Sequence, residues 1–176
     1  MPNWCSNNIS VSHEDPEMMK KFAEGMKSGN LFETLIPLPT KDGEWDYGVA
    51  IETWGTKWDV SDGDFNLSED GKEGDGFFNS PWGPPIAAYE KLTELGFEID
   101  ASYIETGMCF AGAWNKETGD DCYEYDFDDE NWRDEIDNED VLYMLEDEYE
   151  SWKEWQDEME DEEEDEEEKS EEDDGA

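Results

Sequence analysis

Oxygen-bearing side chains between residues 62 and 73 have the spacing of a calcium-binding loop. At positions 1, 3, 5, 7, 9 and 12 of such a loop stand Asp62, Asp64, Asn66, Ser68, Asp70 and Glu73. Leu67 occupies the position where a calcium loop has glycine for its sharp turn, and no helix is predicted on either side. In a chain with 54 acidic residues this spacing arises readily by chance. We therefore expect a solvated acidic loop rather than a metal site, and no other cofactor. Calcium binding by residues 62–73 stays open as the alternative.

Nucleophilic catalysis requires a general base beside the nucleophile, and the chain offers little of this chemistry. Its one histidine, His13, falls at a strand-to-helix junction, where we expect a surface turn residue. Cys5 and Cys109 fall in predicted strands and are expected to be buried, as reduced cysteines usually are. The sequence has neither a phosphate-binding glycine loop nor zinc-ligand spacing, and acidic pairs are too frequent to single one out. It predicts a protein that is not an enzyme and has no catalytic residue.

The tryptophans Trp54, Trp58 and Trp82 have the chemistry of a platform on which nucleic-acid bases stack. Such platforms normally lie in a basic groove, and here Lys57 is nearly alone among acidic residues. We therefore expect at least two of the three side chains to pack in the core. The alternative function that this region allows is a protein-interaction surface spanning residues 54–82, with the acidic tail serving only solubility.

The charge of the chain is large and unevenly distributed. The protein has 54 acidic and 11 basic residues, a net charge of −43, and residues 119–176 hold 32 of the acidic and three of the basic residues. A field this negative repels nucleic acid and anionic membranes and attracts the basic surfaces that bind them. The charge has three alternative interpretations: the surface of a halophile's protein, a solubilising tail, or a mimic of nucleic acid. The uneven distribution argues against the first.

Two helices and five strands are predicted in residues 1–118, in the order strand, helix, two strands, helix, two strands. The first helix has Asp15 as its N-cap and Pro16 at its first position. Residues 61–76, rich in Asp, Gly and Ser, are predicted to be a loop. The predicted strands are residues 4–12, 47–60, 77–80, 97–103 and 108–114, and the predicted helices are residues 16–28 and 84–95. This order is the split βαβ, or ferredoxin-like, arrangement of an α+β protein with an extra hairpin strand.

After residue 118 the chain becomes strongly acidic. Tyr123, Tyr125 and Phe127 alternate with acidic residues and could add an edge strand. Asn138 is predicted to cap a long helix, whose apolar residues recur three to four residues apart. Residues 160–176 are almost purely acidic and are predicted to be disordered. The predicted organisation is a domain at residues 1–118, an acidic, aromatic-anchored extension at residues 119–159, and a disordered tail.

Several segments resemble the YubB-like ferredoxin-fold family of tailed phages and conjugative plasmids. They are, in family order, MPNWCSN at residues 1–7, LIPLP at 35–39, WGTKWD at 54–59, SPWGPPI at 80–86 and FAG at 110–112. Thr53 stands where the family pattern has Asn, and the charge after residue 118 goes beyond that pattern. The resemblance implies a ferredoxin-like fold and an origin in a mobile genetic element. It implies no catalytic residue.

These observations together predict a phage or plasmid protein that mimics nucleic acid. It would bind and inhibit a basic nucleic-acid-binding protein of the host, such as a defence factor, without binding nucleic acid or a membrane itself. The start of the chain has no signal peptide and the sequence has no membrane span, so the expected location is the host cytoplasm. The predicted partner-binding residues are surface carboxylates and two apolar anchors: Asp120, Asp121, Glu124, Asp126, Asp128, Asp129, Glu130, Asp134, Glu135, Asp137, Glu146, Asp147, Glu150, Trp152 and Trp155.

Overall fold

Strand β1 (Trp4–Ser12) alternates exposed and buried residues along its whole length, which is the pattern of a strand with one face against a core. In the computed structural model it lies inside a six-stranded antiparallel sheet of order β2-β3-β1-β4-β5-β6. The other strands are β2 (Ser61–Leu67), β3 (Glu73–Pro81), β4 (Glu98–Glu105), β5 (Phe110–Asn115) and β6 (Gly119–Glu124). The structure describes the backbone of residues 1–174 and the side chains of residues 1–162.

Five α-helices accompany the sheet within the described residues, so the protein is a mixed α+β structure with more strands and helices than the sequence predicted. They are α1 (Pro16–Ser28), α2 (Leu31–Leu35), α3 (Tyr47–Trp54), α4 (Ile86–Glu94) and α5 (Glu139–Asp174). Short 3₁₀ turns occupy Lys41–Gly43 and Trp132–Glu135. None of the helices in the described part of the chain is long and apolar enough to span a membrane.

The core forms where α1 and α4 cover one face of the sheet. Phe22 of α1 lies with its ring centroid 5.2 Å from that of Phe65 in β2 and 5.3 Å from that of Phe97, which precedes β4. Tyr89 of α4 lies 5.3 Å from Trp114 of β5. These rings are almost completely buried, and their burial supplies the main driving force for folding of this part of the chain.

Helix α1 confirms the sequence prediction, because its signals are local. The Asp15 carboxylate accepts a hydrogen bond from the backbone N–H of Glu17 at 3.0 Å, and Pro16 occupies the first position. Gly29 ends the helix in the left-handed conformation, with φ of +71°.

The prediction of a strand at residues 47–60 is wrong, because helix α3 occupies most of this segment. Asp46 caps the helix by accepting from the N–H of Val49 at 2.9 Å. Gly55 ends it with φ of +76°, at a point where a Cβ would lie 3.1 Å from the backbone nitrogen of Ala87. The aromatic and Thr-rich composition favoured a strand. The helix is stabilised instead by its Asp and Gly caps and by the burial of Ala50 and Trp54.

The prediction of a loop at residues 61–76 is also wrong, because β2 and the first half of β3 form a hairpin there. Phe65 is the only buried residue of β2, so the period-two signal was almost absent from the sequence. Gly74 and Gly76 leave room for the Phe65 ring, since a Cβ at Gly76 would lie 2.7 Å from its Cδ2 atom. Composition alone predicts a loop for an edge strand that has one buried ring and many acidic side chains.

The chain divides into two compact units, Met1–Asp126 and Phe127–Ala176. Strand β6, at the beginning of the acidic segment, belongs to the sheet of the first unit. It was predicted around residues 123–127 and lies a few residues earlier.

In the second unit, Asn138 caps α5 as predicted, and its side-chain oxygen accepts from the N–H groups of Asp140 and Val141 at 3.1 and 3.2 Å. Helix α5 continues to Asp174, although the sequence analysis predicted disorder from residue 160. Glu has a high intrinsic helix propensity, so an acidic run can extend a helix without burying any side chain. Residues 175 and 176 of the predicted tail lie outside the described residues.

Candidate binding surfaces

Strand β6 brings the first of the predicted carboxylates to the edge of the sheet. Asp120 accepts a hydrogen bond from the hydroxyl of Tyr103 at 2.6 Å, and Asp121 accepts one from the hydroxyl of Tyr123 at 2.6 Å. The ring of Tyr103 is buried, and burial together with the Asp120 carboxylate raises the pKa of its hydroxyl far above the ordinary value. Asp120 and Asp121 therefore bond within the sheet, whereas Glu124 is an exposed carboxylate.

The segment after β6 carries most of the predicted carboxylates, and they are exposed. The exposed members are Asp126, Asp128, Asp129, Glu130, Asp134, Glu135 and Asp137. Asp129 accepts from the backbone N–H of Asn131 at 2.9 Å, which fixes the turn leading to the Trp132–Glu135 helix. Asp126 belongs to the first unit and the other six belong to the second. The predicted set is thus divided between the two units.

Aromatic side chains pack together in the second unit. Phe127 lies 5.2 Å from Trp132, 5.3 Å from Tyr149 and 5.7 Å from Trp152, measured between ring centroids. Trp152 also stacks on Tyr149 at 5.7 Å with an interplanar angle of 20°. Trp152, predicted to be an apolar anchor for a partner, is therefore half-buried in this cluster. Trp155, the other predicted anchor, is 54% exposed.

Arg133 connects this aromatic cluster to the acidic face of α5. Its guanidinium makes a two-pronged ion pair with Glu146, with Nη2 at 2.7 Å from Oε2. The same guanidinium lies 4.4 Å from the ring of Trp132 and 4.8 Å from that of Tyr149. Its hydrogen bond holds the pKa of Glu146 below the ordinary range. Glu146 therefore has an internal partner, unlike Asp147 and Glu150, which are exposed.

The residues with calcium-loop spacing lie on an extended hairpin. Asp62, Asp64 and Asn66 are alternate residues of β2, and a strand rises about 3.3 Å per residue. Asp62 has φ of +49° and the pairing register shifts between Ser61 and Asp64, so the strand is irregular where the first of these residues lies. At the hairpin turn, the Ser68 hydroxyl donates to the Asp70 carboxylate at 2.6 Å. Within the described residues, no group of three or more His, Cys, Asp or Glu side chains is placed to hold a metal ion.

The tryptophans depart most clearly from the sequence prediction. Trp54 is buried, and its Nε1–H donates to the carbonyl of Ile36 at 2.8 Å. Trp58 and Trp82 are 41% and 55% exposed, so the expectation that at least two of the three would pack in the core is wrong. Their environment depends on contacts with distant segments, which residue type alone does not specify.

Further exposed rings join Trp58 and Trp82. Trp4 lies 6.1 Å from Trp58 between ring centroids. Trp45 donates from Nε1 to the carbonyl of Lys57 at 2.8 Å and lies 6.5 Å from Tyr47. The backbone N–H of Trp82 donates to the carbonyl of Asn3, the residue before Trp4, at 2.9 Å. We call these rings the aromatic surface: Trp4, Trp45, Tyr47, Trp58 and Trp82. The sequence analysis missed Trp4, Trp45 and Tyr47, although each stands beside a charged or polar residue.

A buried polar network supports the turn that carries Trp82. The Tyr89 hydroxyl donates to the Asn7 side-chain oxygen at 3.1 Å, and the Asn7 amide donates to the Ser80 hydroxyl at 2.8 Å. The Ser80 hydroxyl donates in turn to the carbonyl of Gly83 at 2.7 Å. The network fixes the turn from the core side, and Trp82 itself adopts φ of +71°. A non-glycine residue in this region costs roughly 1–2 kcal/mol.

His13 and Cys5 make structural contacts, whereas Cys109 and Cys122 are exposed. His13 bonds through Nε2 to the carbonyl of Leu95 at 2.9 Å, and its Nδ1 accepts from the N–H of Asp15 at 2.9 Å. Cys5 is buried as predicted, and burial raises the pKa of its thiol to about 12. Cys109 is exposed, with φ of +56°, so the prediction that it is buried is wrong. It lies in the turn between β4 and β5, one residue before β5 begins.

Comparisons with protein-family models, curated proteins and solved structures find no match to this chain. The resemblance to YubB-like proteins therefore stays a prediction.

Proposed function

We propose that this protein is a non-enzymatic mimic of nucleic acid, encoded by a phage or plasmid, that occupies the basic groove of a host nucleic-acid-binding protein in the host cytoplasm. A defence protein is the proposed target, and its inhibition is the proposed outcome. The partner would be held by the exposed carboxylates of the second unit, with Trp155 as an apolar anchor.

The linear charge density of α5 carries this proposal. The helix has 36 residues, which at 1.5 Å per residue is about 54 Å. Its sequence contains 22 acidic and two basic residues. This corresponds to about one net negative charge per 2.7 Å, between the 3.4 Å of one DNA strand and the 1.7 Å of the duplex. A protein groove that neutralises phosphates in a row would find a comparable row of charges here.

The ordered start of α5 supports display of its first six acidic residues, from Glu139 to Glu150, in a fixed geometry. Asn138 caps the helix, and Tyr149 and Trp152 pack with Phe127 and Trp132. Charges on a helix anchored by four rings lose less conformational freedom on binding than charges on a flexible chain. This anchoring favours mimicry over a tail that only confers solubility.

We also propose that the first unit has a ferredoxin-like arrangement extended by β5 and β6. The support is the order β2-β3-β1-β4 with antiparallel neighbours, and helices α1 and α4 between the strands in the chain. Membership of the YubB-like family remains part of this proposal. It rests on the quoted sequence segments.

Full-length variants test the mimicry proposal. One replaces five exposed carboxylates of α5 by amides: Asp147→Asn, Glu150→Gln, Glu154→Gln, Asp157→Asn and Glu158→Gln. A control of equal charge changes five exposed carboxylates of the first unit: Glu24→Gln, Glu69→Gln, Glu90→Gln, Glu94→Gln and Glu117→Gln. In affinity capture from host lysate at 0.05 M salt, the α5 variant should recover several-fold less of the partner. Capture by the unmodified chain should fall steeply at 0.2 M salt and in the presence of duplex DNA.

Equal capture by both variants, or capture that duplex DNA does not reduce, would contradict the mimicry proposal. Such a result would favour the second candidate function, a protein-interaction module that uses the aromatic surface while the acidic helix confers solubility. The observation that supports this candidate is the exposure of Trp58 and Trp82, each more than 40% accessible to solvent.

A further inference from the structure

We infer that the aromatic surface binds a lysine- or arginine-bearing segment of a partner protein, with the cationic side chains against the exposed tryptophan rings. This inference rests on the interaction-module candidate and names the chemistry of its partner. It does not depend on nucleic-acid mimicry, because every ring of the surface lies in the first unit.

The size of the exposed aromatic area is the first argument. Trp45, Tyr47 and Trp82 are 54%, 58% and 55% exposed, and Trp4 and Trp58 are 38% and 41% exposed. Single exposed apolar residues are ordinary, but grouped exposed rings mark interaction sites, and here Trp4 lies beside Trp58 and Trp45 beside Tyr47. Tryptophan and tyrosine are also the residues that contribute most binding energy at protein interfaces.

The backbone of Trp82 is the second argument. Its left-handed conformation is unfavourable for a non-glycine residue, and its ring gains little burial in return. The hydrogen bonds through Asn7, Ser80 and Gly83 hold the turn in place at the surface. A costly conformation that presents a large apolar ring to solvent indicates selection for binding rather than for stability.

Charge complementarity identifies the occupant. Glu44 and Asp46 flank Trp45, Glu52 lies on α3 with Tyr47, and all three are exposed. The first unit holds 26 acidic and eight basic residues, which repels a second copy of the chain as well as nucleic acid. A cationic segment gains attraction from these carboxylates and stacking on the rings.

Lys57 already demonstrates the chemistry within the chain. Its ammonium nitrogen lies 3.8 Å from the centroid of the Trp58 ring. One ring face of the surface therefore accepts a cation in the unbound protein. A partner's lysine would take the same position by displacing Lys57, or would use the rings of Trp45 and Trp82.

Peptide binding to the full-length protein tests the inference. The probe is a twelve-residue peptide of alternating Gly and Lys, and its counterpart carries acetylated lysines. We would titrate each by calorimetry in 0.3 M NaCl, where distant carboxylates are screened. The Lys peptide should bind, and Trp58→Ala and Trp82→Ala should each weaken it by roughly 3- to 30-fold. Lys57→Gln should strengthen binding, because it removes the internal competitor for the Trp58 ring.

Trp155→Ala is the matched control, because Trp155 is as exposed as Trp82 and lies in the second unit. The affinity of this variant for the Lys peptide should stay within about twofold of that of the unmodified chain. Trp82→Gly provides a second variant at this position, since glycine adopts the positive φ without strain. This substitution should raise the melting temperature of the protein and weaken its binding of the Lys peptide. Equal binding of the acetylated peptide, unchanged affinity in the Trp58 and Trp82 variants, or an equal loss in Trp155→Ala would overturn the inference. The same titrations are run with the five-carboxylate α5 variant, in which binding by the acidic helix would fall and binding by the aromatic surface would not, so the test of mimicry stays separate.

Discussion

Thr56 lies two residues from both the buried Trp54 and the exposed Trp58. It is 1% exposed, and its hydroxyl has no hydrogen-bond partner among the described residues. A buried hydroxyl without a partner costs about 1–3 kcal/mol of folding free energy. Thr56 therefore reduces stability at the base of the aromatic surface.

We predict that Thr56→Val stabilises the protein by about 1 kcal/mol, because valine keeps the branched shape and removes the unsatisfied hydroxyl. The melting temperature should rise by about 3 °C for a chain of this size. Thermal denaturation followed by circular dichroism measures this. In the control Thr93→Val, the hydroxyl lost is one that donates to the Tyr89 carbonyl at 2.9 Å, so no gain is expected. A lower melting temperature for Thr56→Val would show that the hydroxyl has a stabilising partner.

Residue-scale predictions from the sequence succeeded where the neighbouring residues decide the environment. Asp15 and Asn138 cap helices because the backbone N–H groups that donate to their side-chain oxygens lie only two or three residues further along the chain. The exposure of Trp58, Trp82 and Cys109 depends on which distant segments cover them. The sequence analysis expected Cys109 and at least two of the three tryptophans to be buried, and both expectations are wrong.

Helix α5 provides the prediction at the scale of an element. The Arg133–Glu146 pair lies beside the aromatic cluster, and the lowered pKa of Glu146 means that folding favours its charged form. The pair therefore contributes stability above the ordinary pKa of Glu. This contribution is lost as the pH falls through the lowered pKa of the folded protein.

We predict that Glu146→Gln lowers stability at pH 7 by less than about 1 kcal/mol, since both side chains are partly exposed to solvent. The difference from the unmodified chain should shrink as the pH falls below about 4. Urea denaturation at a series of pH values, followed by tryptophan fluorescence, measures it. Glu150→Gln is the control on the same helix and should show no such difference. A destabilisation of Glu146→Gln that grows as the pH falls would contradict the assigned role of the pair.

Elements differ in how far local sequence specifies them. Helix α1 has a cap, a proline, an apolar period and a terminal glycine, all of which agree. Helix α3 has similar boundaries but aromatic residues that favour strands, and its packing decides the outcome. Strand β2 has a single buried residue, so only its pairing with β3 reveals it.

The net charge of −43 governs behaviour at the scale of the whole molecule. Carboxylates distributed over both units repel one another more in the compact state than in the unfolded chain. Salt reduces this repulsion, since the screening length falls from about 30 Å at 0.01 M to about 10 Å at 0.1 M.

We predict that the melting temperature rises by several degrees between 0.01 and 0.3 M NaCl. The few ion pairs in the described residues are exposed, so their weakening by salt is a smaller effect. Scanning calorimetry at several NaCl concentrations measures this, and KCl should give the same curve. A melting temperature that falls with salt would mean that favourable ion pairs outweigh the repulsion.

The sequence by itself determined the composition-dependent properties of this protein: its charge, the uneven placement of that charge, the α+β class, and the elements with strong local caps and periods. Tertiary structure decided the addition of β2 and β6 to the sheet, the helical state of α3, the pairing of Glu146 with Arg133, and the exposure of the aromatic surface. The physical reason is the separation along the chain over which each kind of interaction acts. Capping and periodicity act between residues a few positions apart, whereas burial, strand pairing and ring contacts depend on segments as distant along the chain as Trp4 and Trp58.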